Sequence, residues 1–200
     1  MILKQTVAAT ASVVSVDELG DHLRLTAEGS PGEYAEQTLL QMKIDAAIAT
    51  IDGADGWLNR ALVTQTWRMS FELFGSRLIR LPLPPLQSVT SLKYLDPDGV
   101  EQTFAASNYR VITDATPGLI YLNDDSVWPS IARAPDAVRI TFVAGYGEAA
   151  AVPSAIRNAV LIMAGTLYEQ REELAFGVQP FEIPGTVKSL LSTYRFHGLV

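Results

Sequence analysis

The chain has 200 residues, 48% hydrophobic and 18% charged, which is the composition of an ordered globular protein and not of a disordered one. It has no cysteine, which excludes disulfides, zinc–thiolate sites and thiol catalysis. The net charge of −7, with 15 scattered Lys and Arg residues, argues against phosphate-backbone binding as the main activity.

No apolar run approaches the roughly 20 residues that span a bilayer. The start, Met1 to Val14, is mildly apolar but broken by Gln5, Thr6, Thr10 and Ser12, and a secretory signal is not expected there. Ser15 to Glu18 is a capping box that opens a short helix through about Leu23. Ser30 to Glu33 repeats the signal with a proline at the first helical position. The following helix is expected to reach about Asn59, with Leu40, Ile44, Ile48 and Ile51 as its apolar stripe. Gly53 and Gly56 weaken its end and predict a bend or early termination.

The hydrophobic period then switches to two. Gln65, Trp67, Met69, Phe71 and Leu73 alternate with Thr66, Arg68, Ser70 and Glu72, as in a half-buried strand. Further strands are predicted at Arg77–Leu81, Val89–Leu95, Val100–Phe104, Tyr109–Ile112, Leu119–Leu122 and Ala137–Ala144. Pro82, Pro84 and Pro85 cannot donate to a ladder and belong at an edge or in a linker. Asp96 to Gly99 and Pro117-Gly118 are turn sequences. Gly145-Tyr146-Gly147 reads as a flexible exit from the last strand. Beyond it Pro153-Ser154 opens a helix with Ile156, Val160, Met163 and Leu167 on one face, running to about Glu172. Ala159 and Ala164-Gly165 allow a neighbouring helix to approach closely. From Ala175 onward the chain reads as an extended arm, with a short helix at Thr186–Thr193.

The fold class is therefore α+β: two long helices and a short N-terminal helix form a body, an antiparallel β subdomain is inserted, and a C-terminal arm follows. The divisions are 1–60 (N-terminal helical part), 61–147 (β insert), 148–176 (C-terminal helix) and 177–200 (arm).

Catalytic chemistry finds little support. His22 and His197 lie near opposite ends of the chain, and no Gly-x-Ser-x-Gly element accompanies them. The Asp residues at 96, 98, 114, 124 and 125 lack EF-hand spacing and read as turn residues. Gly145-Tyr-Gly147 lacks the Gly-Lys-Ser/Thr of a phosphate loop. Neither a catalytic, cofactor nor metal residue is expected. Short strands instead leave edges that invite pairing with a neighbouring copy. The arm carries Tyr194, Arg195, Phe196 and Leu199, types that anchor interfaces.

Five segments together carry a resemblance: Val14–Arg24, Arg60–Trp67, Leu81–Val89, Tyr94–Gly99, and Val143–Gly147 continuing through Tyr168-Glu169. In order and spacing they resemble the head–tail connector (adaptor) proteins of tailed phages, in the long form with a β insert, found also in prophages and gene transfer agents. The resemblance implies a structural role in the neck of such a particle, after assembly in the bacterial cytoplasm. It implies a ring of about a dozen copies beneath the portal protein. That ring would extend the DNA channel without gripping DNA and would receive the next neck or tail component, the stopper. It also implies that the C-terminal segment, Val187–Val200, docks on the portal, with Tyr194, Arg195, Phe196, Leu199 and Val200 as anchors. Trp67, Gly145, Tyr146 and Gly147 are expected at an interface or hinge. The alternatives are another neck protein, a stopper or tail terminator, which the two long helices disfavour, and a hydrolase.

Overall fold

The computed structural model describes residues 1–26, 34–170 and 183–198. Its first helix, α1 (Val16–Leu23), begins at the capping box read from the sequence. The Glu18 N–H donates to Ser15 Oγ at 3.1 Å, and the Ser15 N–H donates to Glu18 Oε2 at 2.8 Å. The long stripe forms α2 (Gln37–Ile51), shorter at both ends than expected. Leu40, Ile44 and Ile51 are fully buried. The Ser30–Glu33 signal falls outside the described residues.

At its other end α2 terminates early. Asp52 turns extended and the chain doubles back, so that the Trp57 N–H donates to Thr50 O (3.0 Å) and the Leu58 N–H to Ile51 O (3.2 Å). Those bonds satisfy carbonyls that a helix end otherwise leaves open.

Helix α3 (Ser154–Glu169) buries Ile156, Val160 and Met163 against the same core. Its Gly165 receives α1 closely: His22 and Leu23 lie within 3.5 Å of where a Cβ would stand. Helix α4 (Gly185–Leu191) completes the group, with Val187 and Leu191 fully buried. Each of these two side chains contributes about 1.5–3 kcal/mol of burial. The end of the chain therefore has a core attachment that its sequence did not suggest.

Between α2 and α3 the chain forms strands β2 (Gln65–Phe71), β3 (Leu78–Leu81), β4 (Leu86–Leu95), β5 (Glu101–Thr103), β6 (Tyr109–Ile112), β7 (Gly118–Leu122) and β8 (Val138–Ala144). An eighth strand, β1 (Ile2–Val7), comes from the N-terminus. One sheet has the order β1-β2-β8-β4-β5 and the other β3-β7-β6, and every pairing is antiparallel. The two sheets enclose a second core of Met69, Ile79, Leu92, Ile120, Ile140 and Phe142 among others. Contact between them is close at Gly118, where a Cβ would lie 2.4 Å from that of Leu86. Pro82, Pro84 and Pro85 lie in the connection from one sheet to the other.

Two sequence expectations need correction. The N-terminal part is not purely helical, because β1 leaves it to edge the large sheet. Its residues are mostly exposed on both faces, so no alternation marked it. Leu73 does not continue the apolar face of β2: the strand ends at Phe71, and Leu73 is 58% exposed in the loop beyond.

Candidate assembly surfaces

The two segments that mark the change of hydrophobic period are neighbours in space. β2 and β8 pair along their length, with Trp67 opposite Phe142 and Gln65 opposite Ala144. Where they meet the helices, backbone bonds tie entry to exit. The Tyr146 N–H donates to Leu62 O (2.8 Å), the Thr64 N–H to Gly147 O (3.1 Å), and the Gly145 N–H to Pro85 O (2.9 Å). Gly145 has φ +124°, and a Cβ there would lie 2.5 Å from Val63 O. Only glycine fits that backbone and that approach. The Gly145–Gly147 segment is thus a tightly bonded joint, in contrast to the flexible exit expected from its composition.

A polar network crosses the same joint. Asp52, which caps α2, accepts from the Leu62 N–H at Oδ1 (2.9 Å) and from Gln65 Nε2 at Oδ2 (2.6 Å). The Gln65 side chain, 1% exposed, accepts at Oε1 from Trp67 Nε1 (3.0 Å) and from Gln5 Nε2 (2.8 Å). Four elements thereby share one chain of hydrogen bonds: the end of α2, the segment entering β2, β2 itself and β1. Burial raises the pKa of the Asp52 carboxyl, and the hydrogen bonds from Leu62, Gln65 and Gly53 pull part of that shift back. Trp67 is 7% exposed, and its indole is committed within the chain.

The C-terminal segment lies across this joint. Arg60 donates through Nε to the Tyr194 carbonyl, and the Phe196 N–H donates to Leu58 O at 2.9 Å. The Arg195 guanidinium sits over the Trp57 ring, 4.5 Å from its centroid. Arg60 also lies beside the Tyr146 phenol: burial raises the pKa of that group and the Arg60 charge opposes the rise. Of the anchors expected in the arm, Tyr194, Arg195 and Phe196 therefore all rest on the joint, with Tyr146 beside them. Leu199 and Val200 lie outside the described residues. Sequence reasoning missed the roles of Asp52, Trp57 and Arg60. The one available signal was Arg60, which opens the period-switching segment.

The far end of the large sheet has a different character. Met1, Ile2, Leu73, Val100 and Val127 are all more than half exposed, and Phe74 stacks on Trp128 with ring centroids 4.2 Å apart. The Trp128 indole donates to Ser76 O at 2.9 Å, which fixes the stack. Asp96 is a turn residue: its carboxylate accepts from the Asp98 and Val100 N–H groups and from Gln102 Nε2. His22 is exposed on α1. Among the described residues no three His, Asp or Glu side chains gather as a metal site would require, and no helix is long and apolar enough to cross a membrane. The geometry offers contact surfaces and a bonded joint.

No protein-family model matches the chain, and no curated protein does. Solved structures do. A chain of the "Neck of empty GTA particle computed with C6 symmetry" is 30% identical, with a TM-score of 0.77, covering 100% of this chain and 98% of that one. A chain of the "Virion of native gene transfer agent (GTA) particle" is 27% identical, with a TM-score of 0.75 and the same coverage of both chains. A chain of the "Neck of native GTA particle computed with C12 symmetry" is 25% identical, with a TM-score of 0.71, again over 100% of this chain and 98% of that one. The chain belongs to the head–tail connector (adaptor) family of tailed phages, prophages and gene transfer agents, whose members are structural proteins and not enzymes.

Proposed function

We propose that the protein is an adaptor subunit in the neck of a phage or phage-like particle. About a dozen copies form a ring beneath the portal protein, extend the DNA channel and receive the next neck component. The observation that carries this reading is the full-length similarity, at 30% identity, to a chain in the neck of a gene transfer agent particle. Two of the similar structures are necks computed with sixfold and twelvefold symmetry, which supports a cyclic arrangement of copies.

In this reading the helical core and the sheet core are two contact modules that meet at the bonded joint. The helices form the ring wall. The sheets, with their open edges and exposed apolar end, meet neighbouring copies or the next ring. The C-terminal segment Val187–Val200 docks on the portal. The net charge of −7 suits a channel that lets DNA slide, since basic side chains in the lumen would hold phosphates.

Mixing the purified protein with the portal ring of the same particle and imaging the product tests the assignment. The expected result is an added ring coaxial with the portal and a lumen without a continuous basic surface. Absence of any docked ring refutes the adaptor role. A stopper or tail terminator is the second reading; α2 and α3, which among the described residues together supply nine of the nineteen buried in the helical core, speak against those β-rich proteins.

A further inference from the structure

We infer that the face formed by Trp57, Leu58, Arg60 and Tyr146 is a self-docking surface for the chain's own Tyr194–Phe196 segment, and that the portal must displace this contact to engage the segment. The inference rests on the portal-docking role proposed above for the C-terminal segment.

The contact is specific along three consecutive residues. The Tyr194 carbonyl takes the Arg60 Nε–H, the Arg195 guanidinium covers the Trp57 ring at 4.5 Å, and the Phe196 N–H reaches Leu58 O at 2.9 Å. Two of these three interactions are made by backbone atoms of the segment, so they constrain its path as well as its composition. The third is a cation–π contact that an exposed arginine gains only over an aromatic face. Immediately upstream, Val187 and Leu191 of α4 are fully buried, which holds the segment's root in place and raises its local concentration at the seat.

A segment bound to its own body is withdrawn from any other partner in proportion to the closed population. In the free subunit Tyr194 and Phe196 are half-buried, and Arg195, though exposed, is held over the Trp57 ring. They become available where a portal site out-competes the seat, which confines docking to the portal and disfavours adhesion between free subunits. The seat also indicates the chemistry that such a competitor must offer: an aromatic face for Arg195, a carbonyl for the Phe196 N–H and a donor for the Tyr194 carbonyl.

The test uses the full-length chain and the portal ring of the same particle. Trp57→Leu keeps apolar bulk at the seat but removes the ring, and leaves the segment's own residues intact. It is expected to bind the portal about twofold to fivefold more tightly. A second variant carries Asn59→Cys and Gly198→Cys, which line one groove beside the 58–196 hydrogen bond and leave the anchors intact, in a chain that has no other cysteine. Oxidised, its segment is locked on the seat, and portal binding is expected to be at least about tenfold weaker than in the same variant reduced.

Equal portal binding by the oxidised and reduced forms, with no gain in Trp57→Leu, overturns the self-docking inference. Deleting residues 194–200 separates the two ideas. Loss of binding on deletion, together with an ineffective lock, sinks only the inference. Full binding after deletion sinks the docking role itself and the inference with it.

Discussion

Exchanging the donor and acceptor ends of the Asp52–Gln65 contact probes whether a directed hydrogen-bond chain holds the joint. The orientation of the Gln65 amide is fixed by its neighbour. Trp67 Nε1–H can only donate, so Gln65 Oε1 faces it at 3.0 Å, and Gln65 Nε2 is left to face Asp52 Oδ2 at 2.6 Å. In Asp52→Asn the Oδ1 atom still accepts from the Leu62 N–H, but the new Nδ2 meets Gln65 Nε2, donor against donor. Turning the Gln65 amide over only moves the clash to Trp67 and Gln5. The variant therefore loses a hydrogen bond to a charged acceptor, worth about 1.5–3 kcal/mol, and regains part of the desolvation of a buried carboxylate. A net loss of about 1–2 kcal/mol at neutral pH is expected.

Gln65→Glu sets a second carboxylate against Asp52 at a position 1% exposed, and is expected to cost about 2–4 kcal/mol. The double variant Asp52→Asn/Gln65→Glu restores every donor to an acceptor. The amide introduced at position 52 donates through Nδ2 to one oxygen of the carboxylate introduced at position 65, while the other oxygen accepts from Trp67 and Gln5. Urea unfolding of the four proteins, followed by far-ultraviolet circular dichroism, closes the cycle. The double variant should recover about 2 kcal/mol relative to the sum of the singles. Additivity within about 0.5 kcal/mol refutes the directed network.

Three further outcomes follow from other parts of the fold. Gly145→Ala, at φ +124° and with its Cβ 2.5 Å from Val63 O, should destabilise by about 2–4 kcal/mol in the same unfolding assay, whereas an exposed hinge there would tolerate it. Leu191→Ala empties a fully buried position in the helical core and should cost about 2–5 kcal/mol; a change below about 1 kcal/mol would mean that α4 does not contribute to that core. The β4–β5 turn should loosen in acid. The pKa of Asp96 is held low by hydrogen bonds from Gln102, Val100 and Asp98, and that of Glu101 by Lys93 and Arg139. Their stabilisation is complete above the ordinary carboxylate range of about 4 and is lost as pH falls through the depressed values, so the Asp98 and Val100 amide protons should keep their protection until below about pH 4 in nuclear magnetic resonance spectra. Loss beginning near pH 5–6 contradicts the assignment.

Much of the element order was legible because it rests on local pattern. The stripe Leu40, Ile44, Ile48, Ile51 and the stripe Ile156, Val160, Met163, Leu167 each repeat at helical spacing, and the fold buries all but Ile48 and Leu167, which are half-buried against the same core. Strand β6 falls on the span expected for it, Tyr109–Ile112. Strand β1 was not legible, because an edge strand exposed on both faces has no alternation to display. The attachment of the C-terminal segment was invisible for another reason. Tyr194, Arg195 and Phe196 bind through two backbone atoms and one guanidinium, to partners some 140 residues away in the chain, such as Leu58. No periodicity encodes contacts of that kind.

The same distinction explains what the period switch at Arg60–Arg68 and Val138–Gly147 means. Switches in hydrophobic period mark where the chain changes core, and they are equally compatible with a loose hinge and a rigid joint. What separates the two is where the backbone hydrogen bonds go. Here Leu62, Val63, Thr64, Gly145, Tyr146 and Gly147 bond or pack against one another, Asp52 ties the end of α2 into the same set through Leu62, and Arg60 links the set to the C-terminal segment. The proposed role, in which a helical module and a sheet module are held in fixed register around a channel, requires such a joint. Compliance is then left to elements outside it: the far end of the sheets and the C-terminal segment. If the joint is rigid and the segment is the movable part, Gly145→Ala should damage folding, and locking the segment at residues 59 and 198 should damage portal binding alone. A lock that also lowers the unfolding free energy of the oxidised chain would mean that joint and segment cannot be separated.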